Sequence, residues 1–143
     1  MAKREGKSLV IFMSSFADSV QMPYNSFYGA SKAFIWSLSK SLRAEMAPKV
    51  DVSVLRPLYV DTRLASFLPS NDPMLISPEK FVTSSIRDIE KKKFVSYGHW
   101  KHVMVATLSK KSPIVSKMID KYLLICNKRA EQFVCAKVKK FNN

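Results

Sequence analysis

Short apolar runs alternate with longer segments of helical spacing along this chain. Residues 8–13 form a short, continuous apolar run, which is typical of a strand buried in a parallel sheet. Helical spacing follows over residues 26–47 and ends before Pro48. The other predicted elements are strands at 52–55 and 94–97 and a helix at 78–91. Strands that alternate with helices indicate an α/β fold with a parallel sheet.

The last third of the chain carries most of the net charge of +13. Residues 90–143 hold 13 Lys and Arg against 3 Asp and Glu, whereas residues 1–89 hold 11 against 8. This basic segment has helical apolar spacing at Ile114, Val115, Met118, Ile119, Tyr122, Ile125 and Cys126. Such a helix can lie on an anionic membrane surface, meet ligand phosphates or pack on the core. We expect no nucleic-acid partner because no recognisable binding module accompanies the charge.

Neither repeats nor linkers divide the chain. We therefore expect one unit over residues 1–105 with a tail over 106–143. The apolar segment 62–78 is expected to form a mobile lid or an ordinary loop packed on the core. The two cysteines and two histidines lack the spacing of a metal site, so we predict no metal.

The segment Tyr28-Gly29-Ala30-Ser31-Lys32 carries the clearest chemistry. Tyr28 and Lys32 are four residues apart in the predicted helix, so they share one face. An ordinary phenol titrates near pH 10, and proton transfer from it near neutral pH requires that its anion be stabilised. The ammonium of Lys32 provides that stabilisation. Ser15, thirteen residues before Tyr28, follows the first predicted strand and adds a second hydroxyl.

The same spacing recurs at Tyr97 and Lys101, so the spacing alone is weak. Only the first copy follows a strand that ends in a serine pair, and only this copy opens a long helical segment. We therefore assign the chemistry to Tyr28 and Lys32. The alternative for either copy is a surface tyrosine beside a solvated lysine.

The order of strand, Ser15, Tyr28-x-x-x-Lys32 helix, strand and the Pro57 loop resembles the catalytic half of the short-chain dehydrogenase/reductase family. The resemblance implies a partial Rossmann-like, doubly wound parallel sheet, with Ser15, Tyr28 and Lys32 as the catalytic residues. The cofactor-binding residues that it implies are Tyr28, Lys32, Pro57, Val60 and Thr62. The implied cofactor is NADPH. NADH stays an alternative because the chain lacks the acidic or basic residue that distinguishes the two cofactors at the adenosine ribose.

Two further motifs narrow the resemblance, namely Pro57-Leu58-Tyr59-Val60 and Ser77-Pro78-Glu79-Lys80-Phe81-Val82. With the basic tail, they are similar to the branch of very-long-chain 3-oxoacyl-CoA reductases and 17-beta-hydroxysteroid dehydrogenase type 12. That branch implies an acyl-CoA or steroid ketone as substrate, in fatty acid elongation or steroid metabolism. It also implies the cytosolic face of the endoplasmic reticulum. The resemblance to the family implies a homodimer through the Tyr28–Lys32 helix, and the basic amphipathic pattern indicates membrane-surface contact through residues 112–140.

The chain contains three glycines, Gly6, Gly29 and Gly98, and no Gly-rich phosphate-binding turn. The family's catalytic asparagine also has no counterpart. We therefore expect the C-terminal half of a reductase without its N-terminal dinucleotide-binding half, from a short isoform or an incomplete gene model. The alternative function is an inactive pseudo-reductase that acts as a dimerisation or membrane-surface module. Dimerisation would use the apolar side chains of the tyrosine helix, Phe34, Trp36, Leu38 and Leu42.

We predict that the 143-residue chain binds NADPH only weakly and aggregates through the unpaired edge of its first strand. Contacts from Tyr28, Lys32 and the loop at residues 57–62 would be too few to offset the entropy lost on binding. Calorimetry on the purified chain measures the affinity. A submicromolar dissociation constant for NADPH would contradict this prediction.

Overall fold

The structure, a computed structural model, describes residues 7–141, with side chains as far as residue 137. The strands of the main sheet are separated by helices along this part of the chain. In order they are β1 (Ser8–Met13), α1 (Ser26–Met46), β2 (Val50–Leu55), β3 (Tyr59–Val60), β4 (Leu75–Ile76), α2 (Pro78–Glu90), β5 (Val95–Ser96), α3 (Trp100–Lys111) and α4 (Pro113–Phe141). The predicted α/β class with a parallel sheet is confirmed.

The main sheet has three parallel strands in the order β1-β2-β5. Its register pairs Ser8 with Val50 and Met13 with Leu55. The central strand β2 is apolar and buried over its second half, as expected for a strand with a neighbour on each side. A second small sheet joins β3 and β4, which lie in and after the Pro57 loop and were not predicted because each has only two residues.

β1 is less buried than its apolar sequence predicts. Leu9, Ile11 and Met13 are each 48% exposed on one face, whereas Val10 and Phe12 are half-buried on the other. Among the described residues β1 pairs with β2 alone, so it is an edge strand of this sheet. The burial typical of a central strand is therefore not seen in the described residues, whereas the predicted exposed edge is present and applies to Leu9 and Ile11 but less to Val10 and Phe12.

The segment expected to be a separate tail packs into the core. Helix α3, which was not predicted, runs through the expected boundary between residues 105 and 106. Phe16, Ala106 and Leu123 form one buried cluster, so α3 and α4 pack against the end of β1. The division into 1–105 and 106–143 stays a prediction, and its residues 1–6 and 142–143 lie outside the described part of the chain.

The buried side of α4 differs from the predicted apolar side. Ile114, Met118 and Ile125 are 73%, 67% and 47% exposed. The buried side carries Leu123, Cys126 and Asn127, with Ile119 and Tyr122 half-buried beside them. The predicted basic helix exists, and Ile119, Tyr122 and Cys126 of its predicted stripe lie on the buried side. The stripe also includes Leu123 and Asn127, which were not predicted, while Ile114, Met118 and Ile125 fall outside it.

Arg56 and Asp18 form an ion pair that is almost entirely excluded from solvent, with side chains 2% and 0% exposed. Arg56 Nε donates to Asp18 Oδ2 at 2.7 Å, and its Nη2 donates to the other carboxylate oxygen. Ser14 Oγ also donates to Asp18 Oδ2 at 2.8 Å, and Arg56 Nη1 donates to the Tyr97 hydroxyl at 3.1 Å. The guanidinium lies 4.3 Å from the centroid of the Trp36 ring. The pair therefore joins the carboxyl ends of β1, β2 and β5 to α1.

His102 forms a second buried connection, this time between loops. Its side chain is 1% exposed, Leu58 N donates to Nδ1 at 3.3 Å, and Nε2 lies 2.9 Å from Met74 O. The neutral ring with its proton on Nε2 donates to Met74 O and accepts from Leu58 N, whereas Tyr97 O, which lies 3.2 Å from Nδ1, receives no hydrogen in that form. Burial lowers the pKa of His102, which agrees with a neutral ring.

We predict that Arg56→Met lowers the free energy of unfolding by about 3–5 kcal/mol, because it leaves the Asp18 carboxylate buried without its cation. Chemical denaturation measures the change. Lys93→Met is the matched control, since it breaks an exposed ion pair with Asp88 and should cost less than about 1 kcal/mol. Equal losses in the two variants would contradict a special role for the buried pair.

We also predict that the free energy of unfolding falls as the pH is lowered from about 7 to 5. An unfolded histidine binds a proton below about pH 6.5, while the lowered pKa of His102 keeps the folded ring neutral. The contribution of His102 to the free energy of unfolding is thus complete above about pH 6.5. It is lost as the pH falls towards the pKa of the folded ring. The steepest slope is about 1.4 kcal/mol per pH unit.

Denaturation at stepped pH measures this dependence. His102→Gln should flatten it, whereas His99→Gln should retain most of it because His99 is less buried. An unchanged slope in His102→Gln would show that other groups cause the dependence.

Candidate active site

Two adjacent serines follow β1, and their hydroxyl groups have different surroundings. Ser14 Oγ donates to Asp18 and lies 3.0 Å from Lys32 O, so it belongs to the buried network of Arg56. Ser15 Oγ accepts from Ala17 N at 3.2 Å and lies 3.4 Å from Pro57 O. The weaker second contact leaves the Ser15 hydroxyl hydrogen able to turn towards a ligand. This geometry supports Ser15, rather than Ser14, as the candidate catalytic serine.

Tyr28 is the third residue of α1, and Lys32 lies one turn further along the same helix. Lys32 Nζ donates to Met13 O at 3.1 Å and lies 5.6 Å from the centroid of the Tyr28 ring. The ammonium is thus held between the end of β1 and the phenol. The predicted juxtaposition of a phenol and a cation on one helix face is present.

Gly29 allows a close approach beside this pair. A Cβ atom at residue 29 would lie 3.2 Å from Cγ and 3.3 Å from Cβ of Met22. Met22 can therefore pack directly on α1, next to Tyr28. A larger residue at position 29 would displace a side chain that lines the cavity described below.

A cavity of about 290 Å³ lies at the carboxyl ends of the strands. Five of the six predicted site residues line it, namely Ser15, Tyr28, Pro57, Val60 and Thr62. Lys32, the sixth, does not line the cavity and contacts Tyr28 from the β1 side. The structure thus brings all the predicted residues together, while their catalytic and cofactor roles stay predictions.

Helix α4 contributes a wall that sequence analysis missed. Leu123, Asn127 and Ala130 line the cavity from this helix. Their spacing of four and three residues places them on one helical face, which is the signal that was available. It was overlooked because the predicted apolar stripe was centred on the neighbouring side of α4, and because Asn127 is polar.

Tyr59 lines the cavity and belongs to a cluster with the half-buried phenol of Tyr122 and the buried thiol of Cys126. Burial raises the pKa of Tyr59 and that of Tyr122 well above the usual range, and burial also raises the pKa of the Cys126 thiol. Tyr122 donates its hydroxyl proton to Asp72 Oδ1 at 2.8 Å. These groups stay protonated near neutral pH, so Tyr59 contributes to the shape of the cavity and Tyr122 and Cys126 pack beside it without exchanging protons.

The second Y-x-x-x-K copy has a different geometry. Tyr97 follows β5, Gly98 turns the chain with a φ of +68°, and Lys101 lies in the first turn of α3. Tyr97 accepts a hydrogen bond from Arg56, and Lys101 Nζ donates to Pro73 O at 3.2 Å. These two side chains do not share a helix, so this copy lacks the arrangement found at Tyr28.

Other kinds of site were sought in the described residues. They contain no group of three or more His, Cys, Asp or Glu side chains that could hold a metal ion. Cys126 and Cys135 are both free thiols. Within residues 7–141, no helix is both long and apolar enough to cross a bilayer.

Sequence comparison matches residues 1–73, half of the chain, to the family described as short chain dehydrogenase. The chain is 28% identical over 110 residues to a very-long-chain 3-oxoacyl-CoA reductase from Yarrowia lipolytica, covering 72% of this chain and 28% of that protein. It is 34% identical over 82 residues to a 17-beta-hydroxysteroid dehydrogenase type 3 from Mus musculus, covering 57% and 26%. The chain thus spans little more than a quarter of the length of these relatives.

Solved structures show the same fold. A short chain dehydrogenase from Burkholderia cenocepacia in complex with NADP superposes with a TM-score of 0.68 and 22% identity, covering 80% of this chain and 47% of that one. A short-chain dehydrogenase from Sphingobium yanoikuyae in complex with NADPH superposes with a TM-score of 0.58 and 19% identity, covering 76% and 44%. The predicted Rossmann-like class and family resemblance are confirmed. This chain belongs to the short chain dehydrogenase family.

Proposed function

We propose that this chain forms the catalytic end of an NADPH-dependent reductase for ketones of the 3-oxoacyl-CoA or steroid class. The observation that carries the proposal is the cavity, in which Ser15 and Tyr28 lie beside the loop at residues 57–62. The relatives named as 3-oxoacyl-CoA reductase and 17-beta-hydroxysteroid dehydrogenase support the substrate class. The two neighbours solved with NADP and NADPH support the choice of cofactor.

Tyr28 acts as the proton donor in this proposal. Its phenol transfers a proton to the carbonyl oxygen as negative charge develops there, and the Lys32 ammonium stabilises the phenolate that remains. The hydrogen bond from Lys32 Nζ to Met13 O holds the ammonium at the end of β1. The reaction therefore does not have to include the entropy cost of positioning this cation.

Ser15 holds the same carbonyl oxygen. Ser15 is buried just after the end of β1, and its Oγ already accepts from Ala17 N, which leaves the hydroxyl hydrogen for the substrate. A donor aimed at a developing oxyanion in a largely apolar cavity stabilises the transition state more than the ketone.

Four of the five residues proposed to hold NADPH line the cavity, and Lys32 contacts Tyr28 from beside it. Tyr28 and Lys32 would contact the nicotinamide ribose, and Pro57, Val60 and Thr62 would contact the carboxamide and the phosphates. When bound, NADPH supplies the hydride. By the same resemblance we assign the intact protein to the cytosolic face of the endoplasmic reticulum.

The second candidate is a non-catalytic dimerisation or membrane-surface module, and exposed apolar side chains favour it. Phe27 and Phe34 on α1 are 92% and 66% exposed. Of the four side chains expected to form the dimer face, Trp36 instead packs inward against Phe94 and Arg56. A protein of this kind would show no ketone-dependent NADPH oxidation and would co-purify with a complete relative.

We predict that Tyr28→Phe in the intact protein lowers the rate of ketone-dependent NADPH oxidation by about 10²–10⁴-fold, the usual contribution of a general acid. Absorbance at the NADPH band measures the rate. Tyr97→Phe is the matched control from the other Y-x-x-x-K copy and should keep the rate within about tenfold. Unchanged turnover in Tyr28→Phe would rule out the assigned proton donor.

A further inference from the structure

Asn127 is an unusual residue in the cavity wall. Its side chain is 3% exposed and lies on α4 among apolar neighbours such as Leu123 and Ala130. The amide group can make several hydrogen bonds, as both donor and acceptor. Within residues 7–137, the hydrogen bond that its side chain makes runs from Nδ2 to the thioether sulfur of Met22 at 3.7 Å.

This single contact leaves the amide poorly satisfied. A thioether is a weak acceptor, and buried polar groups in folded proteins nearly always have better partners. Met22 is itself held by its packing on Gly29. The amide therefore lines the cavity with hydrogen-bonding capacity that the protein does not use, which is typical of a group that orients a ligand.

We infer that Asn127 selects ketones that carry a second hydrogen-bonding oxygen, which its amide binds while Ser15 and Tyr28 hold the reacting carbonyl. This inference rests on the proposed function and deepens it. Both candidate substrate classes provide such an oxygen: the thioester carbonyl of a 3-oxoacyl chain, or a second oxygen on a steroid ketone. A ketone without that group would leave the buried amide with only its weak contact to the Met22 thioether, and a site of this kind discriminates against such a ligand.

The test compares two matched ligand pairs by NMR titration of the soluble, purified 143-residue chain. One pair is a 3-oxoacyl thioester and an alkyl ketone of the same length. The other pair is a steroid with two oxygens and the corresponding steroid monoketone. We expect a preference of about tenfold or more for the ligand with the second oxygen in one pair, and that pair identifies the substrate class.

Asn127→Leu should abolish this preference, with the dissociation constant of the monoketone unchanged or lower. Gln132→Leu is the control, because it makes the same replacement at an exposed position of α4. A preference that survives in Asn127→Leu, or is absent from the wild-type chain, overturns the role of Asn127 and leaves the proposed function standing. A wild-type chain that binds none of the four ketones counts against the proposed function as well.

Thermal unfolding gives a second readout that does not depend on a ligand. If the amide is reserved for a ligand, Asn127→Leu removes a poorly satisfied polar group from the interior, and the midpoint should stay equal or rise. A clear fall in the midpoint would show that Asn127 serves the fold, and would overturn the inference.

Discussion

The buried ion pair of Arg56 and Asp18 is the interaction on which the site depends. It stands where three parallel strands end, and open α/β sheets bind their ligands at this edge. Ser14 connects the pair to the backbone of Lys32, and Tyr97 connects it to β5. Ser15 and Pro57, which both line the cavity, are the chain neighbours of Ser14 and Arg56. The cavity is therefore built on the residues next to an electrostatic contact.

Placing charges in the interior is expensive, and good geometry has to offset it. Here the carboxylate accepts from the guanidinium and from Ser14, while the guanidinium also bonds Ser19 and Tyr97 and stacks on Trp36. Because each of these polar groups has a hydrogen-bond partner, the network holds the strand ends in one arrangement. Such a network adds little to the net free energy of folding, but it fixes a unique geometry. Catalytic groups require such a geometry if they are to be positioned correctly.

Local patterns in the sequence predicted the elements that have clear periodicity. The first strand, the tyrosine helix and the helix at residues 78–91 follow from apolar runs and helical spacing. Helix α3 was missed because its apolar residues are spread around the whole helix and do not form one face. His102 is buried, whereas Val103, Met104 and Leu108 are exposed. The Arg56–Asp18 pair was missed because its partners are 38 residues apart, and no local pattern joins them. Ser15, Tyr28 and Lys32 were recognisable because their chemistry has a characteristic spacing along the chain.

Helix α4 belongs to the core through Leu123 and forms a wall of the cavity through Asn127 and Ala130. One rigid element thus takes part in both packing and ligand contact. By thermodynamic linkage, a ligand that fills the cavity must strengthen the docking of α4 by the same free energy that docked α4 contributes to the ligand's affinity. The exposed side of this helix, which includes Ile114 and Met118, faces away from that contact. Any partner that binds there and pulls α4 outward would act as a competitor of the ligand without entering its cavity.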